Sequence, residues 1–133
     1  MNWQLIDALK QRLANETGVQ SSAPGAKTGF ALVFPNEYHL GMSNLGFQII
    51  YREINSRFDT SCERAFLPSA ADRQEYLRSA TPLLTLENQR PLNEFQLIGF
   101  AVSFELDYFN IPDILQIGRV PIRCSQRTGA DPI

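Results

Sequence analysis

Apolar and polar positions along this chain switch between a helical and an extended period, and each switch marks an element. Over residues 2–15, Leu5, Ile6, Leu9 and Leu13 recur at helical spacing with Trp3 beside them, which predicts an amphipathic helix. The stretch TGVQSSAPGAKTG that follows has the small, polar composition of a linker. The first helix therefore reads as an appendage, free to dock on its own domain or to mediate self-association with a second copy of the chain. GFALVFP at 29–35 is a nearly continuous apolar run of strand length, the pattern of a central strand covered on both faces of a parallel sheet. NEYHLGMS reads as a loop. Beyond it, Asn44 or Ser43 caps a helix whose Leu45, Ile49, Ile50 and Ile54 are expected to face inward, with Arg57 near its end.

The alternation continues to the end of the chain. FDTSCERAFLP predicts a second strand, ADRQEYLRSA a short polar helix, and PLLTLE a short third strand at an edge. LIGFAVSF at 97–104 is again strongly apolar and is expected beside the strand at 29–35. FELDYFNIPDILQIG supplies Asn110 as a cap, Pro112 in the first turn, Asp113 near the positive end and Gly118 as a stop. VPIRCS predicts one more strand before the polar QRTGADPI. Strands alternating with helices imply an α/β fold, a doubly wound, Rossmann-like parallel sheet over 28–133 with residues 1–27 as an appended helix and linker.

Composition narrows the function. A chain of 133 residues is the size of one domain, and 44% hydrophobic with 20% charged residues is the balance of a folded globule, not of a disordered tract. A net charge of -2 with scattered Lys and Arg offers no footprint for nucleic acid. The amino terminus carries acidic residues and no long apolar run, so no signal peptide or membrane span is expected and the cytoplasm is the expected location. Cys62 and Cys124 stand far apart with no CxxC or Cys/His pattern, which argues against a disulfide framework or a zinc site; both are expected to be buried free thiols.

Ligands of open α/β sheets bind beyond the carboxyl ends of the strands, where strand order reverses. That rule selects NEYHLGMSNLG and FELDYFN as neighbouring loops. Gly41 and Gly46 permit close backbone approach, and free amides at a helix start favour a polar or anionic ligand. Neither GxGxxG nor GxxxxGK[ST] is present. His39 has two readings, a metal ligand or proton shuttle and a plain hydrogen-bonded loop residue. Glu37, Glu105 and Asp107 are either an acid/base pair or solvated loop charges. Tyr38, Phe104, Tyr108 and Phe109 are either an aromatic wall or packing residues.

The string TGFALVFPNEYHLGMSNLGFQIIYREIN, followed by CERAFLPS, LENQRPLNEFQLIGFAVSFELDYFNI and VPIRCSQRTGADPI, resembles the amino-terminal region of a family of uncharacterised radical S-adenosylmethionine (radical SAM) proteins. The resemblance covers about residues 28–133 and is most specific at PNEYHLGMSNLGFQ and SFELDYFNI. It implies a cobalamin-binding-like domain preceding a radical SAM barrel in the same polypeptide, which is its expected partner. The iron–sulfur cluster and S-adenosylmethionine are expected only in that parent protein, since two unpaired cysteines cannot hold a cluster with one open iron. The final DPI resembles a point just before a further apolar strand, so the last strand of the domain is expected to be missing or only begun.

Domains similar to this one bind cobalamin through an Asp-x-His-x-x-Gly motif in which the acid orients the histidine. Here Glu37 and His39 keep the spacing, but Gly41 comes one residue early. The resemblance thus implies an accessory domain with or without bound cobalamin. Its cofactor-facing set is Asn36, Glu37, Tyr38, His39, Gly41, Met42, Ser43 and Asn44, opposite Ser103, Glu105 and Tyr108. Met42, Phe104 and Phe66 are expected to cover a flat ring. No residue of this chain is expected to be catalytic or to bind a metal. A competing reading is a protein-interaction module on the same scaffold, acting through the helix at 2–15.

Overall fold

A computed structural model describes residues 1–18, 25 and 28–133, so most of the expected linker lies outside the described residues. The expected apolar run forms β1 (Thr28–Phe34), whose Ala31, Leu32, Val33 and Phe34 are all buried. A strand with no polar face must be covered on both sides, and its neighbours do this. Parallel partners flank it: β2 (Thr60–Phe66) pairs from Thr28↔Thr60 to Phe34↔Phe66, and β3 (Leu97–Phe100) from Phe30↔Leu97 to Val33↔Phe100. The sheet order is β2-β1-β3, so strand order reverses between β1 and β3. This is a doubly wound, Rossmann-like α/β arrangement.

Side chains of alternate residues divide the core in two. Leu32, Phe34 and Cys62 meet Phe47 and Tyr51 of α3 (Leu45–Asn55), while Ala31, Val33 and Ala65 meet Tyr76 of α4 (Ala70–Arg78) and Ile114 and Ile117 of α5 (Ile111–Ile117). Asn44 caps α3 by accepting from the Phe47 amide at 2.9 Å. The inward face of α3 differs from the expected one. Phe47 and Tyr51 are buried and Ile54 is half-buried, whereas Leu45 (71% exposed), Ile49 (41%) and Ile50 (45%) face out. The helical period is the same but its phase is set by aromatic packing: Phe47 lies edge-on to Phe34 and Phe66, each at 5.5 Å.

The amino-terminal helix α1 (Trp3–Ala14) docks on this domain. Its Leu5 is buried, Ile6, Leu9 and Leu13 pack against the two core clusters, and the Asn2 amide donates to Thr81 Oγ1 at 2.9 Å. Of the two docking sites the sequence leaves open, this apolar stripe occupies the one on its own domain.

Two expected strands are absent from their positions. PLLTLE turns back on itself instead, with one antiparallel bridge, Leu84↔Pro91, and a bond from the Thr85 amide to the Arg90 carbonyl at 2.9 Å. Gln89 at φ 50° makes the turn tight, and Pro91 has no amide to extend a ladder. The segment nevertheless shields the outer edge of β2: the Leu86 amide donates to the Arg64 carbonyl at 2.7 Å, and Glu87 Oε2 accepts from the Arg64 amide at 2.6 Å. VPIRCS contains a 3-10 turn at Cys124–Gln126 in place of a strand, because Pro121 removes a ladder donor. Cys124 is consequently exposed, while Cys62 is buried under α3. The expected strand at 97–104 also stops at Phe100, four residues short, where the chain turns into the loop over the sheet edge. Among the described residues no helix is long and apolar enough to cross a membrane.

Arg64, on β2, is nearly fully buried. Its Nη2 donates to Glu16 Oε2 at 2.7 Å, its Nε to Glu87 Oε1 at 2.6 Å, and its guanidinium lies 4.7 Å from the Tyr51 ring centroid. The arrangement ties the end of α1, the core of β2 and the segment around Glu87 to one charge. Arg64→Ala leaves two carboxylates without their cation and is expected to lower the unfolding free energy by about 3–5 kcal/mol, read from urea denaturation.

Burial also pushes the Cys62 thiol up from 9.0 to about 12 and the Tyr76 hydroxyl from 10.0 to about 12, so both stay protonated in the folded state. The unfolded chain ionises them at their ordinary values. Stability is therefore expected to be fully held below pH 9 and lost as the pH rises from 9 towards 12. Urea midpoints measured across this range check it, and Cys62→Val should remove the first part of the decline.

Candidate functional site

Reversal of strand order places the loop after β1 beside the loop after β3 at the carboxyl edge of the sheet. The Ala101 amide donates to the Val33 carbonyl at 2.9 Å, and beyond it the two chains part. Three side-chain bonds then join them again. Asn110 Nδ2 donates to the Pro35 carbonyl at 2.9 Å, Asn36 Nδ2 to Asp107 Oδ1 at 3.0 Å, and Asn44 Nδ2 to Ser103 Oγ at 2.9 Å. Asp107 is buried by this contact. Asn110 stands at the start of α5 but makes no capping bond; its side chain instead ties the end of β1. These three bonds pin the edge into a seam.

The residues expected to face a ligand separate into three groups. Asn36, Asn44 and Ser103 meet across the seam. Tyr38, Gly41 and Met42 belong to α2 (Tyr38–Met42), a short helix within the expected loop, and turn towards the interior. The Tyr38 hydroxyl donates to Glu16 Oε1 at 2.6 Å, and its ring lies edge-on to Phe66 at 5.2 Å; burial, reinforced by the bond to Glu16, pushes the hydroxyl pKa up to about 12. Met42 Sδ accepts from Arg64 Nη1 at 3.1 Å. A Cβ on Gly41 would lie 2.6 Å from Phe66 Cε1 and 3.0 Å from Phe34 Cγ, so its missing side chain serves the seating of α2 on the strand ends. Phe66 is buried in this packing and is not free to cover a ring.

Glu37, His39, Ser43, Glu105 and Tyr108 form the third group, exposed around the rim. Asp107 is buried and accepts from Asn36, whereas Glu37 and Glu105 are exposed. A cobalt-binding histidine needs its second ring nitrogen oriented by an acceptor. His39 Nδ1 lies 3.9 Å from Glu37 Oε2, outside hydrogen-bond range, and its side chain is 71% exposed. With His39 exposed and without an orienting acceptor, and Gly41 sealed beneath Phe66, the residues here do not fit cobalamin with His39 as lower ligand. An iron–sulfur cluster fits no better, since one thiol is buried and the other lies on a separate surface turn.

Two features escaped sequence reasoning. One is a cavity of about 320 Å3 beside Met42, lined by Glu16, Leu45, Ile49, Tyr51, Arg52 and Arg64 among others. Its volume suits a small ligand. Most of the Arg64 donors are, however, already taken by Glu16, Glu87 and Met42. The available signal was the charged pair Glu63–Arg64 inside an expected strand, since charges seldom enter a core unpaired. The other is Leu106, which stands exposed on the 3-10 turn Glu105–Asn110 together with Phe104, Tyr108 and Phe109 (77%), three aromatics that the sequence offered as a wall or as packing and that here face solvent. Concentrated apolar exposure of this kind marks a contact surface.

A sequence model of a family described as radical SAM proteins, N-terminal, matches residues 46–133, from the start of α3 to Ile133. No curated protein and no solved structure matches. The matched span includes the seam residues Ser103, Asp107 and Asn110 and the exposed turn, but not β1 or α2.

Gly41→Ala is expected to destabilise by about 1–3 kcal/mol through overpacking against Phe66. His39→Ala should stay within about 0.5 kcal/mol of the parent. Urea denaturation of the two variants measures both.

Proposed function

The chain belongs to the N-terminal family of radical SAM proteins, and from that premise we propose that it is an accessory α/β domain presenting the carboxyl edge of its sheet to the linked radical SAM domain. In this reading the edge forms one wall of the substrate cavity, and the chemistry belongs to the linked domain. The observation that carries it is the turn at Glu105–Asn110, where Leu106, Tyr108 and Phe109 are exposed while Asp107 and Asn110 anchor the same turn to β1. Anchoring holds the apolar side chains in place before contact, which lowers the ordering cost of an interface. The turn thus combines a rigid base with an apolar surface.

The domain acts here as scaffold and wall, and no step is routed through cobalamin. If cobalamin does enter the full-length protein, His39 is not its ligand. Titrating hydroxocobalamin into the full-length protein and into His39→Ala should give the same visible spectra. A spectral shift lost in His39→Ala would contradict this.

Hydrogen exchange tests the contact. Amides of 104–110 should exchange more slowly in the full-length protein than in the 133-residue chain, and Phe109→Asp should erase that difference without lowering the urea midpoint of the 133-residue chain. Equal exchange in the two parent proteins would remove the edge as the contact surface.

A further inference from the structure

Among the described residues β3 is paired on one side only by a full strand, β1. On its other side a single residue is already seated. The Ile133 amide donates to the Gln96 carbonyl at 3.0 Å, and the Ile98 amide donates to the Ile133 carbonyl at 2.9 Å. One residue bonding to the carbonyl before Leu97 and the amide after it is the unit of a parallel ladder, with Ile133 opposite Leu97. The approach to this position is built. Asp131 Oδ2 accepts from the Thr128 amide at 2.8 Å and from Thr128 Oγ1 at 3.0 Å, closing a turn, and Pro132 is fully buried. Ile133 itself is 83% exposed.

We propose that the free edge of β3 takes a fourth parallel strand, in the register set by Ile133, formed by the polypeptide leading into the linked radical SAM domain. The proposal uses the linked domain implied by family membership but not the contact surface at 104–110. Alternation along β3 turns the amides of Ile98 and Phe100 to the free edge and that of Ala101 to β1, where it bonds Val33. Continuing the register, the Phe100 amide and the Ile98 carbonyl are the next groups to be paired, both by the second residue after Ile133.

Packing points the same way. All four residues of β3 are half-buried, although its sequence is as apolar as that of a covered strand. Gly99 is tightly filled by Phe30, whose Cζ would lie 2.6 Å from an added Cβ, so the Phe30 ring already extends over β3. With Ile133 opposite Leu97 and Leu97 opposite Phe30, one face carries an apolar row that runs past β3. A fourth strand extends the surface this row packs against. A parallel strand also ends at the same carboxyl edge as β1 and β3, and so delivers the linked domain to the side where Phe104 and Phe109 are exposed.

Residue-resolved hydrogen exchange on the full-length protein tests this. The Phe100 amide should be slowed by roughly a hundredfold or more over an open amide, approaching Ala31 of β1. Proline at the second residue after Ile133 should release Phe100 while leaving Ala31 protected, because it removes the donor to Ile98 and disturbs the ladder. Free exchange at Phe100 beside a protected Ala31 in the parent would overturn the proposal. So would protection of Phe100 that survives the proline variant. Exchange at 104–110, read in the same experiment, reports separately on the contact surface.

Discussion

A strand without a polar face has to be enclosed, and β1 imposes that condition on everything around it. Ala31 and Val33 on one side and Leu32 and Phe34 on the other are buried, so helices must lie on both faces and strands along both edges. Covering two faces from one central strand leads the chain first one way to β2 and then back across to β3. The reversal between β1 and β3 follows, and with it the meeting of two loops at the carboxyl edge. The seam is thus a consequence of hydrophobic enclosure before it is anything functional.

Charge enters this core on β2, with Glu63 on one face of the sheet and Arg64 on the other. Arg64 faces the side occupied by Leu32 and Phe34, and its burial is tolerated because Glu16 and Glu87 approach it from separate elements. A buried pair of this type is a weak source of net stability but a strong constraint on which elements can sit together. Here it selects one docked position for the end of α1 and one for the segment that shields β2. Tyr38 shares Glu16 with Arg64, so the short helix beside the seam is tied to the same network. The interior position of α2, and hence the failure of His39 to face an ordered partner, traces back to that tie and to Gly41 beneath Phe66.

The carboxyl edge then differs from an open ligand crevice in a specific way. Its polar groups are satisfied by one another, Asn36 with Asp107, Asn44 with Ser103 and Asn110 with Pro35, while its apolar groups at 104–109 are left towards solvent. Polar groups paired internally have little to gain from a small polar ligand. Exposed apolar side chains on an anchored turn gain from a large partner.

What the sequence by itself determined was the enclosure: the apolar runs GFALVFP and LIGFAVSF located the central strand and its neighbour, though the latter stops at Phe100, and the pair Ser43 and Asn44 located the start of α3. Of the two blocks most specific to the family likeness, SFELDYFNI falls within the match over 46–133, which bears the likeness out at the level of an N-terminal radical SAM region, while PNEYHLGMSNLGFQ lies almost wholly before it. These features depend on local pattern, which a single strand or helix turn contains. Tertiary structure alone decided the phase of α3, since Leu45, Ile49 and Ile50 match the helical period as well as Phe47 and Tyr51 do, and only the rings of Phe34 and Phe66 distinguish the two faces. It likewise decided that PLLTLE would turn back and VPIRCS would not pair, because a strand exists only where a neighbour completes its ladder. The use of Tyr38, Gly41 and Met42 was decided in the same way: a loop sequence shows which groups are available, but what they face depends on side chains that only the fold brings near.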